Sequence, residues 1–336
     1  VHIRSRIPRL IVLVALAAVL AATIVVAVAI GPVRIPLAEV VASLSPLNEP
    51  VAAQEALVTA VRVPRVLVAA LVGAGLGVAG AAMQAVFRNP LAEPGITGVS
   101  AGAATVAVVM IVSGVVDSAP WALPLGAFAG ALAIVALVQG VGMIARSTAS
   151  LLLVGVAVNA FLGAVISAVV ANAVNAEDAR SAMFWLNGDL TGRTMADVRM
   201  CVIPLCIGAV TVLIYARELN LLSVGESLAQ TSGLNVVRVK NVVLAGAALT
   251  TAAGVAVTGA ISFVGLLVPH ILRLAFGGDH RFLLPASALA GAAFLVAADT
   301  AARMLFNPVT LQTGTVTALV GAPFLLGLVL TRARTT

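Results

Sequence analysis

Charge is what this sequence has least of. Only 10% of its 336 residues are Asp, Glu, Lys or Arg, while 61% are hydrophobic and the mean hydropathy is +1.15. A soluble domain of this length carries far more polar surface, so the solvent for most of the chain is lipid. Lysine is nearly absent: Lys240, in RVKNV, is the single one. A phosphate-cradling loop needs GxxxxGK[ST], so a nucleotide site of that kind is excluded from this polypeptide. Cysteine is as scarce. Cys201 and Cys206 stand five apart in one apolar stretch, where about 500° of helical turn points the two thiols to different faces. They form no CxxC pair. Aromatics make up 4% and interleave with no basic patch, which excludes a nucleic-acid surface; the pI of about 10.9 is a topology signal instead. Carboxylates inside the apolar runs are also lacking. Asp299 is the one expected there, near the end of its run, and a lone acid argues against an ion-coupled secondary transporter. His270 and His280 have no cysteine near them to complete a ligand set, so no metal site is expected.

What is present is a series of apolar runs. They predict an all-α, polytopic membrane protein of about ten spans, near 10–30, 65–85, 98–116, 121–144, 151–171, 198–216, 240–256, 258–270, 283–303 and 311–331. The run at 10–30 is long for a signal peptide and is read as a retained first helix. The whole of 1–336 reads as one transmembrane permease domain. With both termini placed inside, twelve of the nineteen arginines and lysines fall on the inner side, the direction expected for the cytoplasm. The chain is therefore expected in the cytoplasmic (inner) membrane. Trp121, Trp185 and Tyr215 fall near span ends, where interfacial anchors sit. Asn159 and Gln139 lie within spans, suited either to lining a path or to bonding their own helix.

Three patterns could carry function. LVGAGLGVAGAAMQ (71–84) spaces Gly73, Gly77 and Gly80 for close helix approach, and Gly246 and Gly254 repeat the theme. Packing within the chain explains them, with a subunit interface as the alternative. The inner loop 217–240 holds Ser223-Val-Gly-Glu226 at capping-box spacing and Gly233 as a left-handed stop. It predicts a stubby helix at about 224–232, either a connector or a docking element. On the outer side, Arg62-Val-Pro-Arg65 puts two guanidiniums on one helix face, and Arg303 stands four residues after Asp299. A local ion pair accounts for the last two; a basic landing patch for an acidic partner is the sharper reading.

Dense stretches of the chain resemble the FecCD family, membrane subunits of type II ABC importers for ferric siderophores, haem and cobalamin. They include VRVPRVLVAALVGAGLGVAGAAMQAVFRNPLAEPGITGVSAGA (61–103), LLLVGVAVNA (151–160), FWLNGDLTG (184–192), LNLLSVGESLAQTSGLNV (219–236), FVGLLVPHILRLAFGGDHRFLLPASALAGA (263–292), ADTAARMLF (298–306) and TGTVTALVGAPFLLGLVL (313–330). The resemblance implies a ten-span permease that catalyses no covalent chemistry and acts as a homodimer or, paired with a second permease, as a pseudo-dimer. It also implies cytoplasmic ATPase subunits holding ATP and Mg, an external solute-binding protein, and no cofactor in this chain. The substrate expected is a ferric siderophore, with haem or cobalamin as the alternative. By similarity, Leu222, Ser223, Gly225, Glu226 and Gly233 belong to the helix that couples to the ATPase. Arg62, Arg65 and Arg303 match arginines that, in a cobalamin-carrying member, pair with glutamates of the binding protein. Ser147, Thr148 and Ala149 resemble a cytoplasmic gate, with Ala149 smaller than the residue often found there. Gly259-Ala260-Ile261 stands where members often carry Gly-Pro-Ile.

Overall fold

A computed structural model of the chain describes residues 8–31, 33, 35–44, 55–145, 148–306 and 309–333, and among these it is all helix, turn and loop. The helices are α1 (Arg9–Ala29), α2 (Leu37–Leu44), α3 (Val63–Val86), α4 (Val99–Val112), α5 (Val115–Ser118), α6 (Ala122–Ala145), α7 (Thr148–Ala171) and α8 (Ala176–Leu186). They continue with α9 (Met195–Ile214), α10 (Ala216–Val224), α11 (Glu226–Thr231), α12 (Val236–Thr258), α13 (Val264–Phe276), α14 (His280–Met304) and α15 (Thr313–Ala333). Six π-helical residues, Leu57–Arg62, lead into α3. Seven of these helical segments are long and apolar enough to cross a bilayer, and α4, α13 and α15 supply shorter apolar ones. The ten expected spans are all there as helices.

The core explains which helices sit inside. α3 and α12 are each 78% buried over their most apolar stretch, whereas α1 is 17% and α7 11%. Helices apolar on every side but buried only on one leave the rest to lipid or to another chain. The glycines decide how closely the buried helices approach. A Cβ at Gly73 would lie 2.9 Å from the Gly291 carbonyl carbon, and one at Gly77 2.9 Å from that of Ser287, so α3 packs backbone against backbone on α14. Gly80 meets Gly265 of α13 in the same way, Gly246 faces Gly208 and Thr211 of α9, and Gly254 faces Val72. All five glycines thus serve packing within the chain.

Two helices do not cross. α4 has 14 residues and α13 has 13, about 20 Å each against a bilayer core of about 30 Å. The missing lengths are irregular chain. The chain after α3 leaves Arg88 and Leu91 exposed and then turns back into the bundle, burying Ala92, Pro94 and Thr97. The Asn159 side-chain amide donates to the Gly95 carbonyl at 3.1 Å, and Gly155 leaves room for the Ile96 carbonyl. Those partners lie about 10–16 Å along α7 from its start. From the other side, 259–263 descends to Phe263, whose φ of 70° opens α13. A Cβ at Gly265 would lie 3.2 Å from Pro94 Cδ, so the two re-entrant pieces pack against each other. Irregular backbone at depth is tolerated where protein buries it and satisfies its polar groups. Asp299 is therefore not the sole carboxylate within the bundle: Glu93 is carried in by the loop. The eighth span starts at 264, not 258, because Gly259 and Phe263, both with φ of 70°, interrupt the helical run before it.

Candidate functional site

The end of the bundle holding Arg9 and the last turn of α15 is the near end; the opposite end is the far end. At the far end α1 stops at Ala29, leaving its last carbonyls without helical partners. Guanidiniums fill that role. Arg62, at the π-to-α junction, donates to the carbonyls of Val28 at 2.6 Å, Ala29 at 3.0 Å and Val33. Arg303 donates to Ala27 at 3.1 Å and Ile30 at 3.3 Å. Cations at a helix C-terminus also meet the negative end of its dipole. Arg65 turns to α14 and grips Asp299 with Nε and Nη2, at 2.9 and 2.8 Å. Asp299 further accepts from the Thr313 hydroxyl at 2.8 Å and lies 3.3 Å from Arg303 Nε.

Arg62, Arg65 and Arg303 are 4%, 8% and 6% exposed, and Asp299 is 1% exposed. The three arginines expected as a basic landing patch lie together in a buried cluster, because the C-terminus of α1 and the Asp299 carboxylate need the same donors. The expected Asp299–Arg303 pair is present, but Asp299 is bound more tightly by Arg65. Three cations and one anion leave two positive charges uncompensated. Elsewhere at the far end, a cavity of about 730 Å³ opens between α8 and the α4–α6 connection, bordered by Asp117, Glu177, Asp178, Arg180 and Arg193.

At the near end the polar segment 217–240 forms two short helices, not one. α10 ends at Gly225, whose φ of 159° and ψ of 145° break the axis, and α11 follows. The expected capping box is not made. Ser223 Oγ bonds back to the Asn220 carbonyl at 2.8 Å, and Glu226 reaches Lys240 at 2.6 Å and Arg88 at 3.8 Å. Cross-helix cations outcompete the local amide for the carboxylate. Gly233 does act as the stop: its φ is 84°, and its N–H and that of Leu234 return to the Gln230 and Ala229 carbonyls. Leu219 and Leu222 are fully buried in the main core, while Leu221, Val224 and Leu228 are exposed. One face is anchored and the other is an apolar ridge.

Of the expected gate, Ser147 lies outside the described residues; Thr148 and Ala149 open α7, and their side chains are not among those described. Cys201 is buried and Cys206 exposed, on different faces. Trp121 is exposed at a span end, whereas Trp185 packs partly against the second apolar cluster. Asn159 bonds neither its own helix nor open space but the re-entrant loop. Sequence reasoning missed Asn220 and Asp279, which meet at the near end; polar residues flanking GGDH were the available signal.

A bundle with buried glycine-packed helices, two half-spans meeting at depth and an apolar ridge on a short polar segment defines a polytopic membrane permease. The comparisons make the class specific. The chain matches the model of the FecCD transport family over residues 18–331. It is 46% identical over 274 residues to a cobalamin import system permease protein of Halobacterium salinarum, covering 81% of this chain and 73% of that one. It is 40% identical to a hemin transport system permease protein of Yersinia pestis (80% and 82% covered), and 41% identical to a vitamin B12 import system permease protein of Escherichia coli (83% and 85%). A solved structure, described as an inward-facing conformation of an ABC transporter assigned to the metal-chelate type, superimposes with a TM-score of 0.85. It has 29% identity and covers 95% of this chain and 98% of that one. The chain belongs to the FecCD transport family and is an ABC importer permease, not an enzyme.

Proposed function

We propose that this permease carries a bulky metal chelate inward by alternating access, driven by ATPase subunits seated on α10–α11. The observation that supports this reading is the two-faced coupling segment: Leu219 and Leu222 fixed in the core, Leu221, Val224 and Leu228 presented to a partner. The near end then faces the cytoplasm, both termini with it, and the gate lies at Ser147, Thr148 and Ala149. Substrates named for the similar permeases are cobalamin, vitamin B12 and hemin, which favours a metal-centred macrocycle over the ferric siderophore of the sequence reading. The exposed apolar faces of α7 and α15, with Leu153, Phe161, Leu319 and Leu326, suit a second copy of the chain. At the far end the arginine cluster steers an acidic solute-binding protein by its two excess charges, with the side chains staying in place.

The test is ATP hydrolysis by the chain reconstituted in nanodiscs with its ATPase and binding protein. Cyanocobalamin, haemin and a ferric hydroxamate are the probes. Stimulation by one of the macrocycles, lost in Leu228→Asp, is the expected result. Stimulation by the hydroxamate alone moves the substrate to the siderophore class, and an ATPase that does not associate overturns the reading.

A further inference from the structure

Asn220, on α10, lies one residue from the buried Leu219 and makes three hydrogen bonds to the start of α14. Its Oδ1 accepts from the backbone N–H of His280 at 2.8 Å and from His280 Nδ1 at 2.8 Å. Its Nδ2 donates to Asp279 Oδ1 at 2.9 Å. The orientation is forced: a backbone N–H only donates and a carboxylate only accepts, so the amide fits one way. His280 then carries its proton on Nδ1. It is 1% exposed, which shields this joint from water competition. The other oxygen of Asp279 receives Arg9 of α1 at 2.5 Å, and Oδ1 also caps α14 through the Arg281 N–H at 3.1 Å.

The same α14 carries Asp299 and Arg303 at its far end, about 29 and 35 Å along the helix from His280. There Arg65 binds it to α3, and Arg303 binds it to the end of α1. Between those points, Gly73 and Gly77 hold α3 and α14 in backbone contact. α1, α3 and α14 are therefore tied together at both ends or along their length; Leu219 and Leu222 pack α10 into the core, and Asn220 adds the hydrogen bonds that join it to the start of α14.

We propose that Asn220 is a positioning residue that locks the coupling segment to α14 and α1, so that α10–α11 and the α1–α3–α14 block move as one piece. This rests on the reading that α10–α11 seats the ATPase. A packed block with a locked handle shifts as a unit, whereas an unlocked handle slips and its motion is lost.

The experiment measures a spin-label distance between Thr231 on α11 and Leu305 after α14, both exposed, in a cysteine-free chain. The labelled chain is diluted with unlabelled copies and assembled with the ATPase in nanodiscs, without nucleotide and with ATP–vanadate. In the otherwise unaltered chain the distance holds within about 2 Å between the two states. Asn220→Asp sets a carboxylate against Asp279 and lets the distance shift by about 5 Å, one helical turn of slip. The double variant Asn220→Asp/Asp279→Asn restores a donor facing an acceptor across the same gap and returns the distance to its fixed value. A variant that merely unfolds would not be rescued in this way. Leu228→Asp, on the exposed ridge, is the control for the underlying reading. If it sheds the ATPase while Asn220→Asp leaves the distance fixed, the lock is overturned alone. A double variant as loose as the single one also overturns it. If Leu228→Asp retains the ATPase, the seating of the ATPase is what fails.

Discussion

Neutralising Asp299 should damage this protein more than removing any one of the arginines around it. Asp299→Asn keeps the shape and one acceptor but deletes what is, among the described residues, the one carboxylate paired with this cluster of three buried guanidiniums. Arg65 then loses its ionic partner, and three like charges remain. Removing one member of a buried pair and stranding its partner costs about 3–5 kcal/mol. Arg65→Met strands less, because Asp299 still has Thr313 at 2.8 Å and Arg303 at 3.3 Å. Losing its charge-assisted bonds costs about 1.5–3 kcal/mol. At about 2 °C per kcal/mol, Asp299→Asn should lower the midpoint of heat inactivation by about 6–10 °C, and Arg65→Met by about 3–6 °C. The assay is the fraction of purified protein that stays monodisperse in detergent after heating. The double variant should lose less than the sum of the two, since the second change removes a cation already stranded. An Asp299→Asn midpoint within about 1 °C of the unaltered chain would refute the argument, because the guanidiniums would then be shown not to depend on that carboxylate.

Further outcomes follow from the packing and from the near end. Gly77→Val should cost about 3 kcal/mol, since the new atoms meet backbone of α14 that cannot rotate aside, whereas Gly163→Ala, with open space around it, should be neutral or slightly stabilising in the same heating assay. Burial alone would raise the Asp279 carboxyl, but hydrogen bonds from Asn220, the Arg281 N–H and Arg9 bring it below its ordinary value of 3.8. A carboxyl depressed on folding contributes stability that is complete above that ordinary value and is lost as the pH falls through the folded one. The unaltered chain should therefore lose an increment of stability below pH 3.8 that Asp279→Asn does not show, read by inactivation across an acid series. Asn159→Ala removes the donor to the Gly95 carbonyl and should loosen residues 88–98 by about 1 kcal/mol, seen as faster amide exchange in that segment alone.

Where hydropathy alone decides, as for the ten spans, the sequence was readable to within a few residues. The span at 258–270 was misplaced because Gly259 to Phe263 are as apolar as a helix but form irregular chain, and periodicity cannot distinguish the two. RNPLAEPG reads as a surface loop by composition. Its burial depends on Asn159 and Gly155, 60 or so residues away, which no local rule connects. The arginines were legible but their burial was not, because the acceptors for Arg62 and Arg303 are backbone carbonyls at and just past the end of α1, which leave no mark in the sequence. Ser223 and Glu226 matched a capping pattern, yet Lys240 and Arg88 took the carboxylate. Such competition is settled only when distant helices meet.

The fastening of α1 has a consequence for how the chain is built. α1 is the first of these helices to leave the ribosome, yet little of it is buried along its length. Arg62 reaches its Val28 and Ala29 carbonyls from only 34 and 33 residues away, but Arg9 to Asp279 and Arg303 to the Ala27 carbonyl join partners 270 and 276 residues apart. Until α14 has been synthesised and inserted, neither of these long-range clasps can close. α1 thus waits in lipid, fastened at one end only, until one of the last helices of the bundle arrives to close its other clasps.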